Sequence, residues 1–262
     1  MHSRGKLKLI KTINILGYIF SFFLAKAEII QPEEGTLFGH KSITREMLIT
    51  ASGQKGKLAF LNSKGEACST EAAFKDQAEL QGWQVMRAEV TFWQAMFCLV
   101  FWDEIFYNMG QPSKTRDIPR DLFSGMPFYL SRKKAIDRRY KQIRSLDVCN
   151  LVNKQIKKSK GAWTRLIYDG GQDMLAHAKS DIAQTFFKKV DPEIFAKIVY
   201  RIAQNPTENR SGLTDFIIWN DNELKMIEVK KVREQIRPSQ LSWIAWMVDE
   251  NIPVEIVRIK AK

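Results

Sequence analysis

The chain has 262 residues, a formal net charge of +12, a pI near 9.6, 45% hydrophobic and 11% aromatic residues. This excludes a disordered chain, allows one large domain or two small ones, and points to a polyanionic partner, either nucleic acid or an anionic membrane surface. Three cysteines with no CxxC pair and three scattered histidines (His2, His40, His177) argue against a disulfide framework, a zinc site and a histidine triad, which leaves carboxylates as the natural metal ligands.

In chain order, Met1 to Thr12 is basic, Ile13 to Ala25 is apolar, and Ala25-Lys26-Ala27 has the small-residue character of a cleavage site. That is the layout of a secretory signal peptide. The apolar run is short for a membrane span, so an amphipathic helix or the remnant of a longer upstream region is the favoured reading, with no stable membrane partner. Pro32-Glu33-Glu34-Gly35 marks a linker, giving an N-terminal segment over 1–41 and a main domain over 42–262. Export is left open by the signal-like layout. Otherwise the expected location is inside the cell, with DNA.

From Ser42 to Ala67 short strands and turns are expected. Ser69 or Thr70 caps a helix that runs to about Gln81, where Gly82 ends it. Trp83 to Ala88 is extended, and Glu89 precedes a helix through Phe106 that is hydrophobic nearly all round and therefore buried. An acid beside a buried helix must be paired, hydrogen-bonded or metal-bound, and its usual place is at the positive end of the helix dipole. Between Arg132 and Arg165 there are twelve Lys or Arg against two Asp, an excess that favours a phosphate-binding surface. Asp137 to Asn209 reads as several helices, broken at Asp169-Gly170-Gly171, restarted at Asp191-Pro192 and closed at Asn205-Pro206.

The C-terminal stretch carries the chemistry. Asp215-Phe216-Ile217-Ile218-Trp219 and Met226-Ile227-Glu228-Val229-Lys230 read as two strands joined by turn residues Asn220-Asp221-Asn222. Alternation sends Glu228 and Lys230 to one face, and Asp215 at the mouth of the preceding strand reaches it across the ladder. Two carboxylates and an amine at a strand end suit phosphodiester hydrolysis: the acids hold a divalent metal, and the lysine positions water or neutralises developing charge. By itself the acid–hydrophobic–lysine triplet is also a common solvated strand end with an ordinary ion pair. The expected fold is α/β (mixed α+β). A small mixed sheet over Phe216–Trp219, Lys225–Lys230 and Val254–Ile259 would be flanked by the Phe92 helix and the Gln240 helix.

Asp215…Glu228-Val229-Lys230, followed by Gln240-Leu241-Ser242-Trp243 and a closing strand, resembles the PD-(D/E)XK core of the virus-type replication-repair nuclease (VRR-NUC) domain. The order Gly82-Trp83, Glu89, Trp102-Asp103-Glu104-Ile105-Phe106, Pro119-Arg120-Asp121-Leu122, Ser131-Arg132, Tyr168-Asp169 and Arg210-Ser211-Gly212-Leu213 is similar to the Fanconi-associated nuclease family from about Ile43 onward. The resemblance implies a restriction-endonuclease-like fold with its catalytic core over 210–262 and a helical insertion over about 110–209. It implies structure-specific 5′-flap cleavage and 5′-to-3′ exonuclease activity in DNA repair, including interstrand cross-link repair. Branched or flapped duplex DNA is the implied partner and Mg²⁺ or Mn²⁺ the implied cofactor.

Carried over residue by residue, the resemblance assigns the metal to Glu89, Asp215, Glu228 and the Val229 carbonyl, and catalysis to Lys230 with Asp215 and Glu228. Arg210, Arg132 and Lys133 are assigned to substrate, and Gln240 to support of the site or of the DNA. Thr214 replaces the usual proline, Lys231 the usual glycine, and Arg87-Ala88 and Val90-Thr91 the usual glycines and serine around Glu89. Family members also carry N-terminal DNA-binding and helical regions that have no counterpart here, so a stand-alone nuclease and one half of a split gene are both expectations. The rival functions are a DNA-binding module without catalysis and a junction-resolvase-like homodimer with the same core.

Overall fold

The two strands predicted around the acid–lysine triplet form an antiparallel hairpin, and a five-stranded sheet is built outward from it. The computed structural model describes residues 36–37, 40–41, 43–52, 59–107, 118–159, 168–169 and 172–262. The chain divides into units Met1–Ser42 and Ile43–Lys262. In the first, Thr36–Leu37 pairs antiparallel with His40–Lys41. The apolar segment 13–25, the Gly170-Gly171 break, Lys160 and Arg165 lie outside the described residues. Among the described residues no helix is long and apolar enough to cross a membrane.

In the second unit the elements are β1 (Thr44–Ile49), α1 (Thr70–Leu80), β2 (Gln84–Arg87), α2 (Val90–Val100) and α3 (Trp102–Phe106). Then come α4 (Met126–Ile143), α5 (Val148–Lys158), α6 (Met174–Lys179), α7 (Asp181–Lys189), α8 (Pro192–Gln204) and α9 (Pro206–Asn209). The chain closes with β3 (Phe216–Trp219), β4 (Leu224–Lys231), α10 (Pro238–Asp249) and β5 (Val254–Ala261). The sheet order is β1-β5-β4-β3-β2, with β2/β3 and β3/β4 antiparallel and β4/β5 and β5/β1 parallel.

Local chemistry sets these boundaries. Asn220 Oδ1 accepts the Asn222 and Glu223 amides at 2.8 and 3.0 Å, which closes the β3–β4 hairpin. Ser69 caps α1 through the Ala72 amide, and Gly82 follows with φ +85°. Asp191 caps α8 ahead of Pro192.

The sheet is larger than the three strands expected from sequence. β2 is a four-residue strand and β1 a charged edge strand, which pairs Arg45 with Glu255 at 2.6 Å. Neither has a long apolar run to announce it.

The helix that flanks the sheet also differs from expectation. α1 covers one face, where Phe74, Ala73 and Ala78 join Phe216, Ile218, Ile227, Val229 and Val257 in one core cluster. α10 packs against β5, with Trp243, Ile244 and Met247 buried, and Phe186 of α7 meets Trp219 at 6.0 Å. The Phe92 helix, α2, is buried nearly all round as predicted, but its main partners are α5, α6 and α8. Its aromatic face meets Phe187, Phe195 and Phe186, so helix packing rather than sheet packing absorbs it.

Candidate active site

β3 pairs with β4 only as far as Phe216, opposite Ile227. One residue earlier, Asp215 turns its side chain back across the end of the ladder, and its Oδ2 accepts the Val229 amide at 2.8 Å. The carboxylate thus takes the place of a strand acceptor. In an extended strand, N–H and C=O of one residue face the same edge. The Val229 carbonyl therefore faces the gap left where β3 stops, beside Asp215. The Ala88 amide donates to the Asp215 carbonyl at 3.0 Å, which ties β2 to the same corner.

Glu228 is fully buried, and Lys230 sits two residues on along the same face. Lys230 Nζ lies 2.6 Å from Glu228 Oε1, and Gln240 Nε2 donates to the same oxygen at 2.5 Å. Glu228 Oε2 is buried with no hydrogen-bond partner among the described residues. Desolvation, reinforced by the Asp215 charge and opposed by Lys230, pushes the Glu228 carboxyl up to about 7. Burial also raises Asp215, against the Val229 amide and Lys230, with the charges of Glu71 and Glu89 adding to the rise. For Lys230, burial works against the charge, but the bond to Glu228, with the charges of Glu234 and Asp215, outweighs it and the ammonium is held above its ordinary value.

Gln240 is placed by its own helix end. Its Oε1 accepts the Arg237 amide at 3.0 Å at the start of α10, which leaves the amide NH₂ aimed at Glu228. It is 2% exposed, and its side chain orients the Glu228 carboxylate.

Glu89 lies between β2 and α2. It is the N-cap of α2 but makes no side-chain cap bond. Its Oε1 instead meets Arg87 Nε at 2.7 Å and Nη2 at 2.5 Å. Among the described residues, no group of three or more His, Cys, Asp or Glu is close enough together to hold a metal ion. Asp215 and Glu228 meet at the corner, and the Glu89 charge still contributes to raising Asp215 while its carboxylate pairs with Arg87. The remaining donors still fit a hard divalent cation: they are all oxygens, and the buried Glu228 Oε2 is an acceptor in need of a partner.

The other assigned substrate residues divide. Arg132 donates to Asp121 and to the Glu104 carbonyl and stacks 4.5 Å over Phe128, so its donors are committed inside the fold. Lys133 pairs with Asp137 and lies over Tyr129. Arg210 is exposed in the loop that enters β3, its guanidinium 5.1 Å from the Phe123 ring centre.

Two contributors were legible in sequence as parts of motifs, but not as parts of the site. Gly212 has φ +89°, and a Cβ there would lie 2.4 Å from the Ser239 carbonyl carbon and oxygen, so only glycine lets this loop touch the start of α10. Glu71, in the first turn of α1, adds its charge to the Asp215 environment. The glycine before the catalytic-strand motif was the signal for the first; for the second, the sequence offered only its place at the start of the helix after Ser69 and of the family-like run.

Residues 151–261 match the VRR-NUC domain family. The Fanconi-associated nuclease 1 homolog of Arabidopsis thaliana is 24% identical over 220 residues, covering 78% of this chain and 23% of that protein. The Oryza sativa subsp. japonica homolog is 26% identical over 213 residues, covering 78% and 21%. The chain thus spans under a quarter of the length of these relatives. A crystal structure of paFAN1 bound to 2-nt 5′-flap DNA with a gap superposes with TM-score 0.67 at 18% identity, covering 90% of this chain and 39% of that one. A second, with a 1-nt flap, gives 0.64 at 19%, covering 85% and 38%. These superpositions establish a shared fold.

Proposed function

Starting from a chain that carries a VRR-NUC domain over residues 151–261, we propose that it is a metal-dependent DNA nuclease hydrolysing phosphodiester bonds. The observation that carries this reading is the Asp215–Glu228–Lys230 corner, with one buried carboxylate oxygen unpartnered at the end of the β3–β4 ladder. Asp215, Glu228 and the Val229 carbonyl would hold Mg²⁺ or Mn²⁺. Such an ion polarises the phosphate and lowers the pKa of water. Glu89 would join them on release from Arg87.

Lys230 keeps its proton because Glu228 Oε1 holds it, so it presents a fixed positive charge to water and phosphate oxygens. Gln240 orients the Glu228 carboxylate. Arg210, exposed on the loop into β3, is placed to meet a backbone phosphate. By similarity to the relatives, the finer proposal is 5′-flap cleavage and 5′-to-3′ exonuclease action in cross-link repair.

The Glu89–Arg87 pair favours a second reading, a DNA-binding module without turnover, because it removes one carboxylate from the metal set. Cleavage of end-labelled 5′-flap DNA in Mn²⁺ by wild type, Asp215→Ala and Lys230→Ala separates the two. Cutting by wild type alone supports the nuclease. An intact flap that wild type binds supports the module.

A further inference from the structure

The basic excess between Arg132 and Arg165 is not uniform once the chain is folded. On α4 and its C-cap, Arg132 is tied to Asp121, Lys133 to Asp137, Arg139 to the Val100 carbonyl at 3.0 Å, and Arg144 to Glu193 at 2.9 Å. Lys134, Arg138 and Lys141 are exposed and form no ion pair or hydrogen bond among the described residues. At i, i+4 and i+7 they share one face of the helix. With Asp137, Gln142 and Ser145 they line a groove of about 660 Å³.

The one acid in the groove does not cancel this charge. Asp137 Oδ1 accepts the hydroxyls of Tyr129 and Tyr200, each at 2.8 Å, while Lys133 takes Oδ2, and together these contacts lower its pKa against the opposing effect of burial. The same network makes the helix a firm platform. Tyr140 stacks on Tyr200 at 4.1 Å and 12°, locking α4 to α8. Lys134 to Lys141 spans about 10 Å of helix axis at 1.5 Å per residue. Successive phosphates of one DNA strand rise about 3.4 Å along the duplex, so the stripe matches roughly three of them. Arg139, on the same helix, is anchored at the C-terminal end of α2, and Glu89 is at the other end, about 16 Å away. The helix that carries the stripe is thus tied to the far end of the helix that begins at Glu89.

Resting on the nuclease reading above, we propose that Lys134, Arg138 and Lys141 form a docking track for the phosphate backbone of the duplex flanking the cut site. It reads charge and spacing and no base sequence. Exposed Met126 and Leu130 extend the same face at its N-terminal end, but two side chains are too little apolar surface for membrane anchoring.

The test is fluorescence anisotropy of a labelled 20-bp duplex in EDTA, which stops cleavage, across a salt series. It compares wild type with Lys134→Gln/Arg138→Gln/Lys141→Gln and with the charge-matched control Lys64→Gln/Lys179→Gln/Lys188→Gln. The slope of log Kd against log salt is expected to fall by roughly 2 to 3 in the first variant, at about 0.9 per lost phosphate contact, and to stay near wild type in the control. Single Arg138→Glu weakens binding without shifting the melting temperature. Equal slopes in wild type and the first variant, with wild type binding and cutting flap DNA, overturn the track and leave the nuclease standing. Wild type that neither binds nor cuts DNA overturns both. Binding to phosphatidylserine vesicles, with none to duplex, assigns the stripe to a membrane and overturns it too.

Discussion

Gln240 and Glu228 are joined by a 2.5 Å hydrogen bond between an amide NH₂ and a fully buried carboxylate, and Lys230 holds the same oxygen from the other side at 2.6 Å. Two donors on Oε1 leave Oε2 as the open acceptor. The carboxylate is thereby oriented before any ligand arrives, which is how residues behind a ligand shell act on a metal site.

Gln240→Ala removes one donor and frees the Glu228 rotamer. Cleavage of a 5′ flap should fall about 10- to 100-fold, with duplex affinity in EDTA little changed. Loss of duplex affinity with cleavage intact would instead make Gln240 a DNA contact.

Glu228 titrates near 7, above its ordinary value, so the folded state binds a proton that the unfolded chain has released. The sign follows: between about pH 4.5 and 7 this group lowers stability as pH rises. Across that window the wild-type melting temperature should drop relative to Glu228→Gln. Proton and metal also compete for the carboxylate, so Mn²⁺ affinity, read by calorimetry, should climb up to tenfold per pH unit below about 7 and level off above it. A flat Mn²⁺ profile from pH 5.5 to 8 would remove Glu228 from the ligand set.

Gly212→Ala places a methyl against the Ser239 backbone at a positive φ. The loop must shift away from α10, at a cost of about 2 kcal/mol or more in a urea melt. The shift separates Asp215 from Gln240, so cleavage should fall further than stability explains at temperatures where the variant is fully folded.

Arg87→Ala releases Glu89. The pair is exposed, at 66% and 41%, and such pairs contribute up to about 1 kcal/mol. Mn²⁺ affinity should therefore tighten by up to about fivefold, with the same change in Glu89→Gln/Arg87→Ala excluded. An unchanged affinity in Arg87→Ala would mean that Glu89 is not held back by this pair.

Much of the site was legible in one dimension because strand alternation is local. Glu228 and Lys230 must share a face once β4 is extended, and Asn220 declares the hairpin that brings Asp215 beside them. The caps at Ser69 and Asp191 were readable for the same reason. The partner of each charged group was not legible, because that is a matter of tertiary distance. Twelve basic residues between Arg132 and Arg165 look alike in sequence. Folding commits Arg132, Lys133, Arg139, Arg144 and Lys158 to intramolecular acceptors and leaves Lys134, Arg138 and Lys141, with Lys154 and Lys157, to solvent. Glu89 likewise takes the nearest guanidinium, and the buried face of α2 turns to helices because its aromatic residues find other rings there. Covalent order and local periodicity placed Glu228 and Lys230 on one face; desolvation and long-range packing decided their protonation, their partners and which basic side chains remain exposed.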